Sequence, residues 1–535
     1  MSTLFTNGAL FDGHRHIGAG EVLVEDGRIS AVHRGDGAGG RVPSSTTVID
    51  LQGGLLSPGF TDAHVHPIQG GLERMRCDLS GHETREDYLA AITAYADANP
   101  SAEWILGGGW SMPAFPGGTP RAADLDRIVP DRPVFLPNRD HHGAWVNSRA
   151  LEIAGIDEHT PDPPDGRIER DPDGRPSGTL QEGATALVSR FVPRTTGEDY
   201  YAGLMAGQAY LHSVGVTSWQ DAIVGAYSGM DDPASTYETA AGNGDLLSHV
   251  VGALWWERRL GVEQVADLVG RRDTMTGGRF RATTVKIMQD GVAENGTAAM
   301  LAPYLDRCGH PTDNSGHSFL TAAAIRDAVQ ALDAEGFQVH VHAIGDRGTR
   351  EALDAFEGTA PGRRHHIAHL QLVHPDDVSR FAALGVAANL QMLWACADDQ
   401  MVDLTIPFLG QERSRWQYPF GDLHRAGARL VAGSDWPVSS PDPLQAIQVA
   451  VTRVDPGSGR DPFLLEQVLT AQTAFAAYTS GSAWANHRDD AGVLRPGAVA
   501  DLVVLDRDPF AGAADEIATA RVVSTWIDGN PVYQT

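Results

Sequence analysis

Eight short apolar runs recur through the middle of this 535-residue chain, at 59–66, 216–222, 250–256, 285–290, 338–343, 366–371, 385–391 and 429–435. Segments with helical spacing separate several of them, such as TAAAIRDAVQALDAEG (321–336) and PDDVSRFAALG (375–385), with Thr321 and Asp376 or Asp377 as expected caps. Apolar strands alternating with helices make β/α units and a parallel sheet, and eight such units close into a (β/α)8 TIM barrel. This pattern constrains the fold more than any other feature of the chain.

The first two runs lie about 150 residues apart, far beyond an ordinary loop. The gap predicts a large insertion over 70–205, emerging from the first strand at the face of the barrel where active sites lie. Short β-type runs broken by Asn-Gly and Asp-Gly turns occupy both ends of the chain. They predict one small β-sandwich domain built from 1–57 and 485–535, with the barrel spanning 58–484 between them.

The formal charge of -28 argues against nucleic acid or an anionic membrane as partner, since both require basic surface. No apolar run is long enough to span a bilayer, and the first residues have neither a basic nor an apolar leader region. Cys77, Cys308 and Cys396 are too scattered for a metal knuckle or a disulfide framework. These features predict a cytoplasmic protein acting on a small molecule, with a homodimer as a possible assembly.

Lys286 is the only lysine; the other 40 of the 41 basic residues are arginine. An amine can lose its charge and react, whereas a guanidinium stays protonated, so lysine kept at one position points to chemistry there. His64 and His66 alternate on the first run and project together. His342, His369 and Asp435 stand near the ends of the fifth, sixth and eighth runs, where a barrel would gather them at its mouth. Imidazoles and a carboxylate suit zinc or a similar divalent ion. A satisfied core histidine at His369, a helix cap at Asp435 and a buried ion-pair partner at Lys286 are the alternatives taken singly.

The segments PGFTDAHVH (58–66), DHHGAWVNSRALEIAGI (140–156), VKIMQDG (285–291), VHAIGDR (341–347), IAHLQLVHPDDVSRFAALGV (367–386), GSDWPV (433–438) and LRPGAVADLVVLD (494–505) resemble, in order, the amidohydrolase superfamily. The resemblance is closer to the YtcJ-like branch of amidohydrolase family 3, which includes N-substituted formamide deformylases. It implies one or two divalent metals, zinc being the expected ion, held by His64, His66, His342, His369 and Asp435. It also implies that carbon dioxide carboxylates Lys286 to a metal-bridging carbamate. Relatives commonly have glutamate before the sixth-strand histidine, where this chain has Ala368.

The expected activity is hydrolysis of a non-peptide C–N bond, in an amide or N-substituted formamide, by metal-activated hydroxide with Asp435 as general base. Hydrolysis of a cyclic amide, lactone or ester is the alternative, and a non-catalytic metal-binding scaffold is one of another class. His142, Trp110 and Trp394 are the candidate substrate contacts, within a wider aromatic set of Phe115, Trp145, Trp255 and Trp436. The absence of an arginine cluster speaks against a phosphate or polycarboxylate substrate.

Overall fold

The structure, a computed structural model, describes residues 2–35, 45–227 and 230–535; residue 1 and residues 36–44 of the N-terminal segment, and residues 228–229, lie outside the described residues. Its centre is a parallel sheet of eight strands, β1 (Phe60–Val65), β2 (Val216–Val224), β3 (His249–Trp255), β4 (Phe280–Met288), β5 (Gln338–Ala343), β6 (His366–His369), β7 (Ala387–Leu390) and β8 (Leu430–Ala432), each paired with the next in chain order. All residues of β1, β5, β6, β7 and β8 are buried, as expected of strands covered on both faces.

Helices follow the strands and lie outside them. In Ala322–Ala334, Thr321 caps the first turn through Ala324 N, and Ile325, Ala328, Val329 and Leu332 form the buried stripe. In Pro375–Leu384 the cap is His374 rather than Asp376 or Asp377, because Pro375 takes the first helical position and draws the start two or three residues earlier.

The barrel is nearly closed. β8 and β1 share no ladder, but beyond the end of β8 Asp435 N donates to His64 O at 2.8 Å and His66 N to Trp436 O at 2.8 Å. The Asp62 carboxylate reinforces this seam by accepting from both His64 N and Ser434 N at 3.0 Å. Gly433 permits the approach, since a Cβ there would stand 2.6 Å from the backbone N and Cβ of His64.

Strands from both ends of the chain join one eight-stranded sheet, in which Leu55–Pro58 pairs antiparallel with Leu502–Leu505. Phe5, Leu10, Val22, Leu56, Leu502 and Trp526 pack on it, with the Phe5 and Trp526 rings edge to face at 5.2 Å. Between β1 and β2 a separate six-stranded sheet includes the antiparallel pair Gly166–Arg170 and Pro176–Glu182. Among the described residues no helix is long and apolar enough to cross a membrane.

Gly433→Ala should lower the unfolding temperature, at a cost of about 1–3 kcal/mol typical of overpacking. The Cβ can be accommodated only by moving β1 and the β8 end apart, and a thermal melt matching that of the parent protein would show that the seam yields freely.

Candidate active site

Period-two alternation turns Asp62, His64 and His66 of the first run inward together, as it does Gln338, His340 and His342 on β5 and Thr284, Lys286 and Met288 on β4. Parallel register then sets Lys286 beside His340 and Met288 beside His342. Barrel interiors are usually filled by branched apolar side chains. This one is polar in depth.

Asp435 is the point of convergence. Its Oδ1 lies 3.1 Å from His64 Nε2 and 3.0 Å from His66 Nε2, and its Oδ2 lies 3.9 Å from His369 Nδ1. Lys286 Nζ approaches His64 Nε2 at 3.4 Å. The rings of His342 and His369 meet edge to face at 4.4 Å. Ligand atoms of His64, His369 and Asp435 come within 4.8 Å of one another. The structure thus brings together all six residues expected to form the metal site.

Two of these groups, and the Leu370 that follows one of them, depend on uncommon backbone. Asp435, His369 and Leu370 have φ of 58°, 81° and 52°, the left-handed region that non-glycine residues seldom occupy. The turn at His369 is held by its N–H donating to Gln391 Oε1 at 2.7 Å. Asp290, after β4, accepts from Ala299 N, Ile344 N and Gly345 N, tying the loops beyond β4 and β5 together.

Burial sets the electrostatics. It lowers Lys286 to about 8 against the opposing charges of Asp435 and Asp221, which eases loss of the ammonium proton. Burial also drives His342 and His369 well below the histidine range, aided by neighbouring imidazoles and Lys286. Burial alone would raise Asp435, but the surrounding imidazoles hold it well below the carboxylate range. Among the described residues, buried His342 Nε2 and His369 Nδ1 have no hydrogen-bond partner. Bare imidazole nitrogens converging with an ionised carboxylate form a donor set that fits a divalent cation.

The pocket above this cluster has about 580 Å³ of space, part of it open to solvent. Ile223, Tyr227, Trp255, Val292, Ile344 and Trp394 give it apolar walls. Trp394 stacks on His369 with ring centroids 5.3 Å apart and donates from Nε1 to Ser439 Oγ at 3.1 Å. Asp140, His141 and His142, from the segment between β1 and β2, line the same pocket. The His142 Nδ1 contacts both Glu182 oxygens at 3.0 Å. Burial opposes charge on His142, but Glu182 outweighs it and raises the ring to about 9.

Trp110 is not among the residues that line the pocket. It is buried beside Phe115 and Trp145 in the core of the segment between β1 and β2, and its Nε1 donates to Leu136 O at 2.8 Å, so its bulk serves packing there. Sequence reasoning missed Asp62, Glu182, Gln220 and His340. Alternation along β1 and β5 could have marked Asp62 and His340; Glu182 carries no local signal, since its partner lies 40 residues away.

Residues 47–533 match the family model of the amidohydrolase family. The chain is 30% identical over 531 residues to the amidohydrolase-type protein YtcJ of Bacillus subtilis (strain 168), covering 96% of each chain. It is 27% identical over 541 residues to an N-substituted formamide deformylase of Arthrobacter pascens, covering 96% of this chain and 94% of that one. Among solved structures, an uncharacterized metal-dependent hydrolase from Pyrococcus furiosus superimposes with a TM-score of 0.70 at 26% identity, covering 95% of this chain and all of that one. With its eight-stranded barrel and its buried histidine and carboxylate cluster, the chain belongs to the amidohydrolase family and is a metal-dependent hydrolase acting on C–N bonds.

Proposed function

We propose that the protein hydrolyses a non-peptide amide, of the N-substituted formamide class, whose nitrogen carries an apolar or aromatic group. The observation that carries this reading is the joining of two environments in one pocket: Asp435 amid bare imidazoles at the floor, and Trp255, Trp394, Tyr227 and Ile223 on the walls. The floor suits a small polar carbonyl and the walls suit an apolar substituent. The similarity to the Arthrobacter deformylase supports the same substrate class.

His64, His66, His342, His369 and Asp435 would hold one or two divalent ions, zinc being the ion that such donors favour. When bound, a divalent ion acidifies a water to a pKa of about 7 and polarises a carbonyl oxygen. Asp435, ionised and at the centre, takes the proton of the attacking water and returns it to the leaving nitrogen as the C–N bond breaks. His142, held at Nδ1 by Glu182, offers its Nε2–H to a substrate oxygen. The segment 70–205 contributes that histidine and so bears on substrate choice.

Lys286 is the residue that carbon dioxide modifies. The neutral Nζ attacks the carbon of carbon dioxide, a C–N bond forms, one proton leaves, and the resulting carbamate carries a negative charge toward the metal ligands. Its burial and lowered basicity favour the neutral amine that this step requires.

A hydrolysis panel of N-substituted formamides, acylated amines and cyclic amides tests the substrate class. N-benzyl or N-alkyl formamides should be cleaved by the zinc-loaded protein and not after chelation, while charged N-substituents should be poor substrates; cleavage indifferent to chelator would overturn the reading. Asp435→Asn should reduce turnover by about 10²–10⁴, because an amide cannot accept the proton; a variant turning over like the parent would remove Asp435 from the mechanism. Labelled carbon dioxide should give one buried carbamate signal in carbon NMR, the N-terminal amine aside. That signal should vanish in Lys286→Arg together with activity, and full activity in Lys286→Arg would exclude the carbamate.

A further inference from the structure

Beneath the site, a row of amides and imidazoles is hydrogen-bonded in one direction only. It begins at two backbone carbonyls, which can only accept: Gln338 Nε2 donates to Arg364 O at 2.7 Å and to Ala485 O at 2.8 Å. The Gln338 amide is therefore oriented, and its Oε1 accepts from Thr284 Oγ1 at 2.7 Å and from Gln220 Nε2 at 3.0 Å. Gln220 is oriented in turn. Its Oε1 faces His340 Nδ1 at 2.7 Å, and an amide oxygen accepts only, so His340 carries its proton on Nδ1.

The neutral His340 ring then has a lone pair on Nε2, which lies 2.9 Å from His64 Nδ1. His64 must donate there. Its Nε2 is left bare, 3.1 Å from Asp435 Oδ1 and 3.4 Å from Lys286 Nζ. His64 and His340 are both enclosed in the barrel.

We propose that Gln338, Gln220 and His340 form a directional hydrogen-bond chain that locks His64 in its Nδ1–H tautomer and so presents Nε2 as a ready metal ligand. The three are positioning residues. A metal-binding imidazole needs its other nitrogen engaged, and loss of such outer partners typically costs about 10–100-fold in metal affinity. Here the engagement is transmitted from the backbone at Arg364 and Ala485 through β5 and β2 to β1, so it does not rely on a carboxylate. His366 marks the branch that does not lead to the site: its Nε2 reaches the same Gln220 Oε1 at 3.1 Å, and its ring lies against His340 with centroids 4.0 Å apart.

The inference rests on His64 acting as a metal ligand, and the test separates the two claims. In metal-free protein carrying ¹⁵N-labelled histidine rings, long-range ¹H–¹⁵N spectra should place the His64 proton on Nδ1, its signals being identified by their loss in His64→Ala. A proton on Nε2 would overturn the chain whatever the metal does. Zinc affinity, measured by chelator competition, should fall about 10–100-fold in His340→Phe, which removes the acceptor. It should recover in His340→Gln, which can restore an acceptor, and stay near the parent value in His366→Phe, an equally buried ring off the path. Equal losses in the two phenylalanine variants would reduce His340 to packing. A parent protein with the His64 proton on Nδ1 but no affinity for zinc would overturn the metal reading alone.

Discussion

The seam between the first and last strands governs this molecule. At that seam Asp435 N donates to His64 O, and its side chain reaches the imidazoles of His64 and His66. One residue thus closes the barrel through its backbone and organises the site through its carboxylate. The left-handed backbone at Asp435 makes both possible, and the close approach of Gly433 to His64 brings the strand ends near enough. Closure and site assembly are the same event in space.

From that seam the polarity extends inward. An ionised carboxylate among neutral imidazoles in a buried pocket is costly unless a cation or hydrogen bonds balance it. The layer below supplies directed hydrogen bonds through Gln220, Gln338 and Asn389, the last donating to Ala63 O at 3.0 Å. Where most barrels place apolar bulk, this one spends its interior on orienting groups. The bare nitrogens of His342 and His369 are what remains for a cation to satisfy.

The segment between β1 and β2 answers a different need. Barrel strands hold the imidazoles and the carboxylate rigidly, but they cannot cover the mouth they open onto. Asp140, His141 and His142 reach over it from the segment between β1 and β2, and Glu182 fixes the last of them in charged form. Charged His142 at that rim, the Asp435 carboxylate at the floor and apolar walls between them give the pocket its polarity.

Much of this was legible in the chain itself. Eight apolar runs in β/α alternation determined the barrel, because strands buried on both faces must be apolar and must recur at crossover spacing. A single lysine among 40 arginines marked Lys286, since only an amine can give up its charge there. His64 and His66 were readable from period-two alternation. Tertiary structure alone decided the rest. The HVH of 340–342 has the same spacing as the HVH of 64–66, yet His340 meets His64 beneath the site while His342 faces the pocket, a difference set by depth along the barrel axis rather than by residue type. Trp110 and Trp394 are equally aromatic in sequence, but one packs with Phe115 and Trp145 and the other stacks on His369. Glu182 and Gln220 owe their roles to partners 40 and 120 residues away. Local pattern determines which face of a strand a side chain takes; only closure of the barrel determines what it meets there.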